Sequence, residues 1–132
     1  MSNARNIASI AGEDVLNASN EIVPVYACRA WVNFDGTYPF SPTPSTSAII
    51  GAGNVTSIYA NGTGDFTVNF TVAMPDLNYC VLVTGETPPA NGNFMSVGQV
   101  TSKGTSIIRI ENKASHNYVN YNLSNINLVI FR

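Results

Sequence analysis

The sequence predicts an all-β fold: an antiparallel β-sandwich, jelly-roll-like, of about seven or eight strands behind a short N-terminal arm. Three observations lead there. From Glu21 onward nearly every segment has the composition of a strand, and turn residues recur about every ten to fifteen positions. Over 65–72, Phe66, Val68, Phe70 and Val72 alternate with Thr67, Asn69 and Thr71, which is the period of a strand with one buried face. A chain of 132 residues, 45% of them hydrophobic, is one domain's worth and can bury a core without disulfides or metal.

The elements follow in order. Residues 1–20 hold Ile7, Ile10, Val15 and Leu16 among Ala, Ser and Asn, with Gly12 breaking any helical pattern. So few apolar positions do not fold alone, and the segment reads as a docking arm ahead of a knob domain over 21–132, a frayed terminus being the alternative. A long strand is predicted over 22–34, with Pro24 at its start or on an edge because it cannot donate to a ladder. Asp35-Gly36 turns the chain. Residues 54–59 and 65–72 form a hairpin around Asn61-Gly62-Thr63-Gly64, in which Asn-Gly is expected to supply the positive φ of the turn. Further strands are predicted over 79–84, 94–101, 106–111, 118–123 and 126–131, with Lys103-Gly104 as a turn. In the last strand Ile126, Leu128 and Ile130 are set for the core, which locks the C-terminus into a sheet.

Composition narrows the partners. Only 11% of the residues are charged, against about 25% in ordinary domains, so Asn, Ser, Thr and Gly make the surface. The six basic residues, Arg5, Arg29, Lys103, Arg109, Lys113 and Arg132, are scattered and the net charge is −2. That pattern cannot track phosphates, and nucleic acid is not expected as a partner. No apolar run reaches the ~18 residues of a membrane span, and Met1-Ser2-Asn3-Ala4-Arg5-Asn6 lacks the apolar stretch of a secretory signal. Membrane insertion and export by that route are not expected. Cys28 and Cys80 match no metal-ligand spacing and are read as reduced core thiols, a disulfide between neighbouring strands being the alternative.

Chemistry is sparse. No nucleophile elbow, zinc-protease helix motif, phosphate loop or Cys-x-x-Cys occurs. The single histidine, His116, lies in the polar run 112–117, and Asp35, Asp65 and Asp76 fall at predicted turns, where carboxylates cap backbone amides. No catalytic residue, metal ligand or cofactor is expected, and the protein is not read as an enzyme. The sequons beginning at Asn17, Asn54, Asn61, Asn69 and Asn122 are read as a consequence of composition. Among the aromatics, Tyr26, Trp31 and Phe34 lie in a strand and are assigned to the core. Tyr38, Phe40, Tyr118 and Tyr121, near turns, are the candidates for ligand or receptor contact, with Tyr59 a further possibility. Tyr38 and Phe40 belong to a loop over 38–47 stiffened by Pro39, Pro42 and Pro44, and a second loop spans 85–93. Binding residues are concentrated on such loops, while Pro-rich stiffening also protects a sheet edge.

The order of blocks carries a resemblance. Ala27-Cys28-Arg29-Ala30-Trp31-Val32-Asn33-Phe34-Asp35-Gly36-Thr37, Gly53-Asn54-Val55-Thr56-Ser57-Ile58, Asn61-Gly62-Thr63-Gly64-Asp65-Phe66-Thr67-Val68-Asn69-Phe70, Ala73-Met74-Pro75-Asp76-Leu77-Asn78-Tyr79 and the closing Val129-Ile130-Phe131-Arg132 together resemble a β-rich module. That module is found near the C-terminal end of bacteriophage tail fibres and related appendage proteins, cyanophages included. The resemblance covers about residues 26–82 and the last few. It implies a virion structural protein that ends a fibre or spike as a homotrimer, assembled in the host bacterial cytoplasm. On that reading Ile7, Ile10, Val15 and Leu16 belong to the arm that docks on other virion proteins, and distal loops contact a host surface glycan or protein. The alternatives are a capsid decoration or head-fibre protein and a free carbohydrate-binding, lectin-like module.

Overall fold

The structure, a computed structural model, describes residues 15–16, 22–23, 28–39, 43–86, 96–115 and 118–132. Two short strands, β1 (Val15–Leu16) and β2 (Ile22–Val23), pair antiparallel through Val15–Val23 and Leu16–Ile22. Of the arm residues named above, Ile7 and Ile10 lie outside the described residues. So do Pro24, Tyr26, Phe40 and His116.

Eight strands build the sandwich: β3 (Cys28–Phe34), β4 (Ile49–Gly53), β5 (Val55–Gly62), β6 (Asp65–Phe70), β7 (Cys80–Gly85), β8 (Ser96–Lys103), β9 (Ile107–Ala114) and β10 (Ile126–Phe131). They form two four-stranded antiparallel sheets of order β4-β3-β10-β7 and β5-β6-β9-β8. No helix occurs among the described residues. Alternation explains the layers. Ala30, Val32 and Phe34 of β3 and Ile126, Leu128 and Ile130 of β10 point inward from the first sheet; Ile58, Phe66, Val68, Phe70, Ile108 and Ile110 meet them from the second. Phe34 and Phe66 make the central contact, edge to face at 5.1 Å between ring centroids.

The chain closes the sandwich at its ends. Between β3 and β4, Ser45 exchanges backbone hydrogen bonds with Ile58 at 2.7 and 2.9 Å, so at this point the chain covers a donor and an acceptor that β5, an edge strand, would leave open. At the other end Tyr79 Oη donates to the Gly104 carbonyl at 2.8 Å, and Lys103 Nζ donates to the Tyr79 carbonyl at 2.8 Å with its ammonium over the ring. Arg132 is ion-paired with Asp76, which fixes the last residue beside the end of β10.

Five expectations are corrected. Val72 does not continue the alternation of β6; the strand ends at Phe70 and Val72 is 67% exposed. Residues 118–123 form no strand, because Tyr118 takes φ 56° and the segment is held by two backbone bonds with Ala114 and one to Asn112, with one isolated bridge from Asn120 to Lys113. The β5–β6 turn is Thr63-Gly64, not Asn61-Gly62: Asn61 and Gly62 remain in β5, and the left-handed residue is Gly64, at φ 64°. Trp31 is not in the core, since it shares the outward parity of Asn33 and is 44% exposed. Cys28 and Cys80 are free thiols as expected, yet both are exposed. Each pairs with Phe131 from opposite sides of β10, which puts two strand spacings, about 10 Å, between their backbones. A disulfide requires less than about 7 Å. Strand β4 is an addition: its Ile-Ile-Gly-Ala-Gly sequence carries no alternating signal.

Candidate functional site

Register gives the sandwich two unlike ends. Cys28, Gly53, Cys80 and Phe131 stand at one end of the first sheet, and Val55, Phe70, Lys103 and Ile107 at the same end of the second. This is where β3 enters and β10 leaves. At the opposite end lie Phe34, Gly85 and Ile126 of the first sheet and Gly62, Asp65 and Ala114 of the second. The connections that follow Phe34, Gly85 and Ala114 all start from this second end. The connections that the sequence singles out therefore start from one end, away from the point of chain entry.

Backbone contacts fix that end. Gly36 N donates to the Leu123 carbonyl at 2.8 Å, Asn112 N to the Gly64 carbonyl at 2.8 Å and Tyr121 N to the Asn112 carbonyl at 2.9 Å. Asn122 Oδ1 accepts from Gly64 N at 2.6 Å, and Asp35 Oδ1 accepts from Thr37 N at 2.8 Å. Four separate chain segments are stitched to one another by these bonds, so residues 118–123 have a defined course without being a strand. Gly64 has no room for a side chain: a Cβ there would sit 2.6 Å from Tyr121 N and 2.8 Å from the Asn112 carbonyl oxygen.

Three of the four candidate contact residues are described, and all three lie at this end. Tyr118 is 75% exposed, with Val119 exposed beside it; Tyr38 and Tyr121 are half-buried. Phe40 lies outside the described residues. Tyr59 is elsewhere, half-buried in the middle of β5 opposite Thr67. A polar network that sequence reasoning missed adjoins the tyrosines' end of the first sheet. Asn33 Nδ2 donates to Asn125 Oδ1 and, at 2.6 Å, to Asn127 Oδ1; Asn125 Nδ2 donates to Glu86 Oε1 at 2.9 Å. The signal for Asn33 and Asn127 was their alternation with Val32, Phe34, Ile126 and Leu128; that for Asn125 and Glu86 is tertiary. Phenol hydroxyls, amides and one carboxylate on a fixed surface can hydrogen-bond a neutral, polar partner. Among the described residues no three His, Cys, Asp or Glu side chains come together as a metal site.

A charged pair stands at the same end of the second sheet. Arg109 on β9 is ion-paired with Asp65 at the start of β6, and Asn61 Nδ2 donates to the same carboxylate at 3.1 Å. Asp65 accepts from the side chains of Arg109 and Asn61, whereas Asp35 and Asp76 also accept from backbone amides. The Arg109 hydrogen bond holds the Asp65 carboxyl below its ordinary range, against the opposing effect of burial. A lowered folded pKa gives a contribution that is complete above the unfolded value of about 3.9 and disappears as pH falls through the folded value. Asp65→Asn is thus expected to lower Tm near neutral pH, with the difference from the parent closing as the solution is acidified below the ordinary carboxylate range. A Tm gap independent of pH would show that the carboxylate's charge contributes nothing.

Comparison of the chain with protein-family models, curated proteins and solved structures gave no match.

Proposed function

We propose that this protein is a phage virion appendage, the knob of a tail fibre or spike, which assembles as a trimer, docks through residues 1–20 and turns its loops to a host surface. The observation that carries this reading is the polarity of the sandwich. The chain enters β3 at one end, while Tyr38, Tyr118 and Tyr121 lie at the other, from which the connections after Phe34, Gly85 and Ala114 start. Attachment by the entering segment leaves that far end outward. Low charge and a surface rich in Asn, Ser and Thr suit many weak contacts, and a trimer multiplies them: joining weak sites raises avidity by about 10² to 10⁴. The sequence blocks that resemble appendage modules support the same assignment.

The test is incorporation. Particles purified from cells expressing the full chain are expected to carry it, detected by peptide mass spectrometry, and particles from cells expressing only residues 21–132 are expected to lack it. Absence of the full chain from particles would refute the virion role. Retention of the shortened chain would refute the docking arm alone.

A further inference from the structure

The Asn61-Gly62 pair, which does not form the β5–β6 turn, carries a chemistry of its own. Asparagine amides are thermolabile, because the backbone nitrogen of the following residue can attack the side-chain Cγ. Glycine at the following position removes the Cβ that would obstruct that approach. Asn-Gly occurs twice in the chain, at 61–62 and at 91–92, and the second pair lies outside the described residues. Every other asparagine among the described residues precedes a bulkier side chain, from Phe34 after Asn33 to Leu128 after Asn127.

The structure leaves this pair open to the reaction. The ladder between β5 and β6 joins Ala60 to Phe66 and Gly62 to Asp65, so Asn61 is stepped over at a bulge, where the extra residue is released from the pairing that holds a strand in place. Asn61 and Gly62 are both exposed, and a Cβ on Gly62 would meet nothing within 4 Å, so there is space for a five-membered ring. Asn61 Nδ2 donates to Asp65 Oδ1 at 3.1 Å and to Thr67 Oγ1 at 2.9 Å. These bonds hold the nitrogen that has to leave, but at an exposed hairpin tip they open far more often than bonds of the core. Asn69 is the contrast. It pairs with Ser57 on one side and Ile107 on the other, is half-buried, and precedes the buried Phe70.

We infer that Asn61 is a site of spontaneous deamidation, which turns the tip of the β5–β6 hairpin from neutral to acidic as the protein ages. The Gly62 nitrogen bonds to Asn61 Cγ, the Cγ–Nδ2 bond breaks, and Nδ2 leaves as ammonia with the proton that Gly62 gives up. Water then opens the succinimide ring. Attack at Cγ gives aspartate, and attack at the main-chain carbonyl gives isoaspartate. Water is the one co-reactant, and nothing is oxidised or reduced. Either product removes the amide donor from Asp65 and puts a carboxylate in its place. Isoaspartate also adds a methylene to the main chain one residue before the Gly62–Asp65 pair. The new carboxylate repels that of Asp65 and competes with it for the Arg109 guanidinium. The change falls at the loop end of the sandwich and takes the net charge from −2 to −3.

The inference is independent of the virion role, and so is its test. The full chain and Gly62→Ala are kept for weeks in warm, mildly alkaline buffer, digested and mapped by peptide mass spectrometry. Conversion at Asn61 is expected to run roughly tenfold faster than at Asn69, and Gly62→Ala is expected to slow it by a similar factor. Retention of the Asn61 amide would overturn the inference, and conversion of Asn91 in the same sample establishes that the conditions suffice. Conversion at Asn61 that Gly62→Ala does not slow would overturn the route through the Gly62 nitrogen. Asn61→Asp installs one product directly. It is expected to lower Tm near neutral pH, with the gap from the parent closing on acidification as the facing carboxyls take up protons. An unchanged Tm would overturn the effect on the Asp65–Arg109 pair.

Discussion

Phe66→Ala is expected to cost about 4 kcal/mol, the middle of the range for removing a fully buried phenylalanine. Phe66 is completely enclosed and meets Phe34 edge to face, so the substitution loses transfer free energy, leaves a cavity between the sheets and removes an aromatic pair. The ring also comes close to Gly36, where the chain leaves β3. A domain of this kind has about 5 to 15 kcal/mol in all, so the variant should lose a large part of its stability. Urea unfolding followed by Trp31 fluorescence would measure it. A loss under about 1.5 kcal/mol would mean that the two sheets do not meet at this contact.

Gly64→Ala is expected to cost about 3 kcal/mol. Two effects combine. An L-residue at φ 64° is disfavoured by roughly 1 to 2 kcal/mol relative to glycine, and the new Cβ would overlap the backbones of residues 112 and 121, where overpacking costs about 1 to 3 kcal/mol. The neighbouring glycine supplies the control. Gly62 has ordinary φ and nothing within 4 Å of a Cβ, so Gly62→Ala should change stability by less than about 0.5 kcal/mol. The opposite pattern, with Gly62 sensitive and Gly64 tolerant, would move the turn back to Asn61-Gly62. Because Gly64 bonds to Asn112 and Asn122, Gly64→Ala should also loosen the loop that carries Tyr118 and Tyr121.

Much of the fold was legible because alternation is a local property. The last strand runs over Ile126–Phe131 as its pattern predicts, and Phe66, Val68 and Phe70 are buried together. The misreadings have physical causes. Ile49 to Gly53 escaped notice because glycine weakens any strand pattern, and these two glycines exist to receive the Trp31 indole from the next strand, which local sequence does not report. Trp31 itself was assigned by residue type, although its parity with Asn33 already placed it outward. Residues 118–123 have strand-forming side chains, but tertiary bonds to Gly64 and Ala114 set their path. The common location of Tyr38, Tyr118 and Tyr121 was not legible at all. It follows from the direction in which β3, β6 and β9 run, and so from strand order, which is a property of the whole chain.

On the proposed function, the end bearing Tyr118 faces away from the particle and the end where the chain enters faces towards it. Labelling tests this most directly. In a Cys28→Ser, Cys80→Ser background, Thr63→Cys places a thiol at the loop end and Thr105→Cys one at the entry end, both at exposed positions. Intact particles treated with a maleimide-biotin reagent should be captured on streptavidin through position 63 and escape capture through position 105. Capture through position 105 with none through position 63 would reverse the orientation and overturn the proposed attachment through the entering segment.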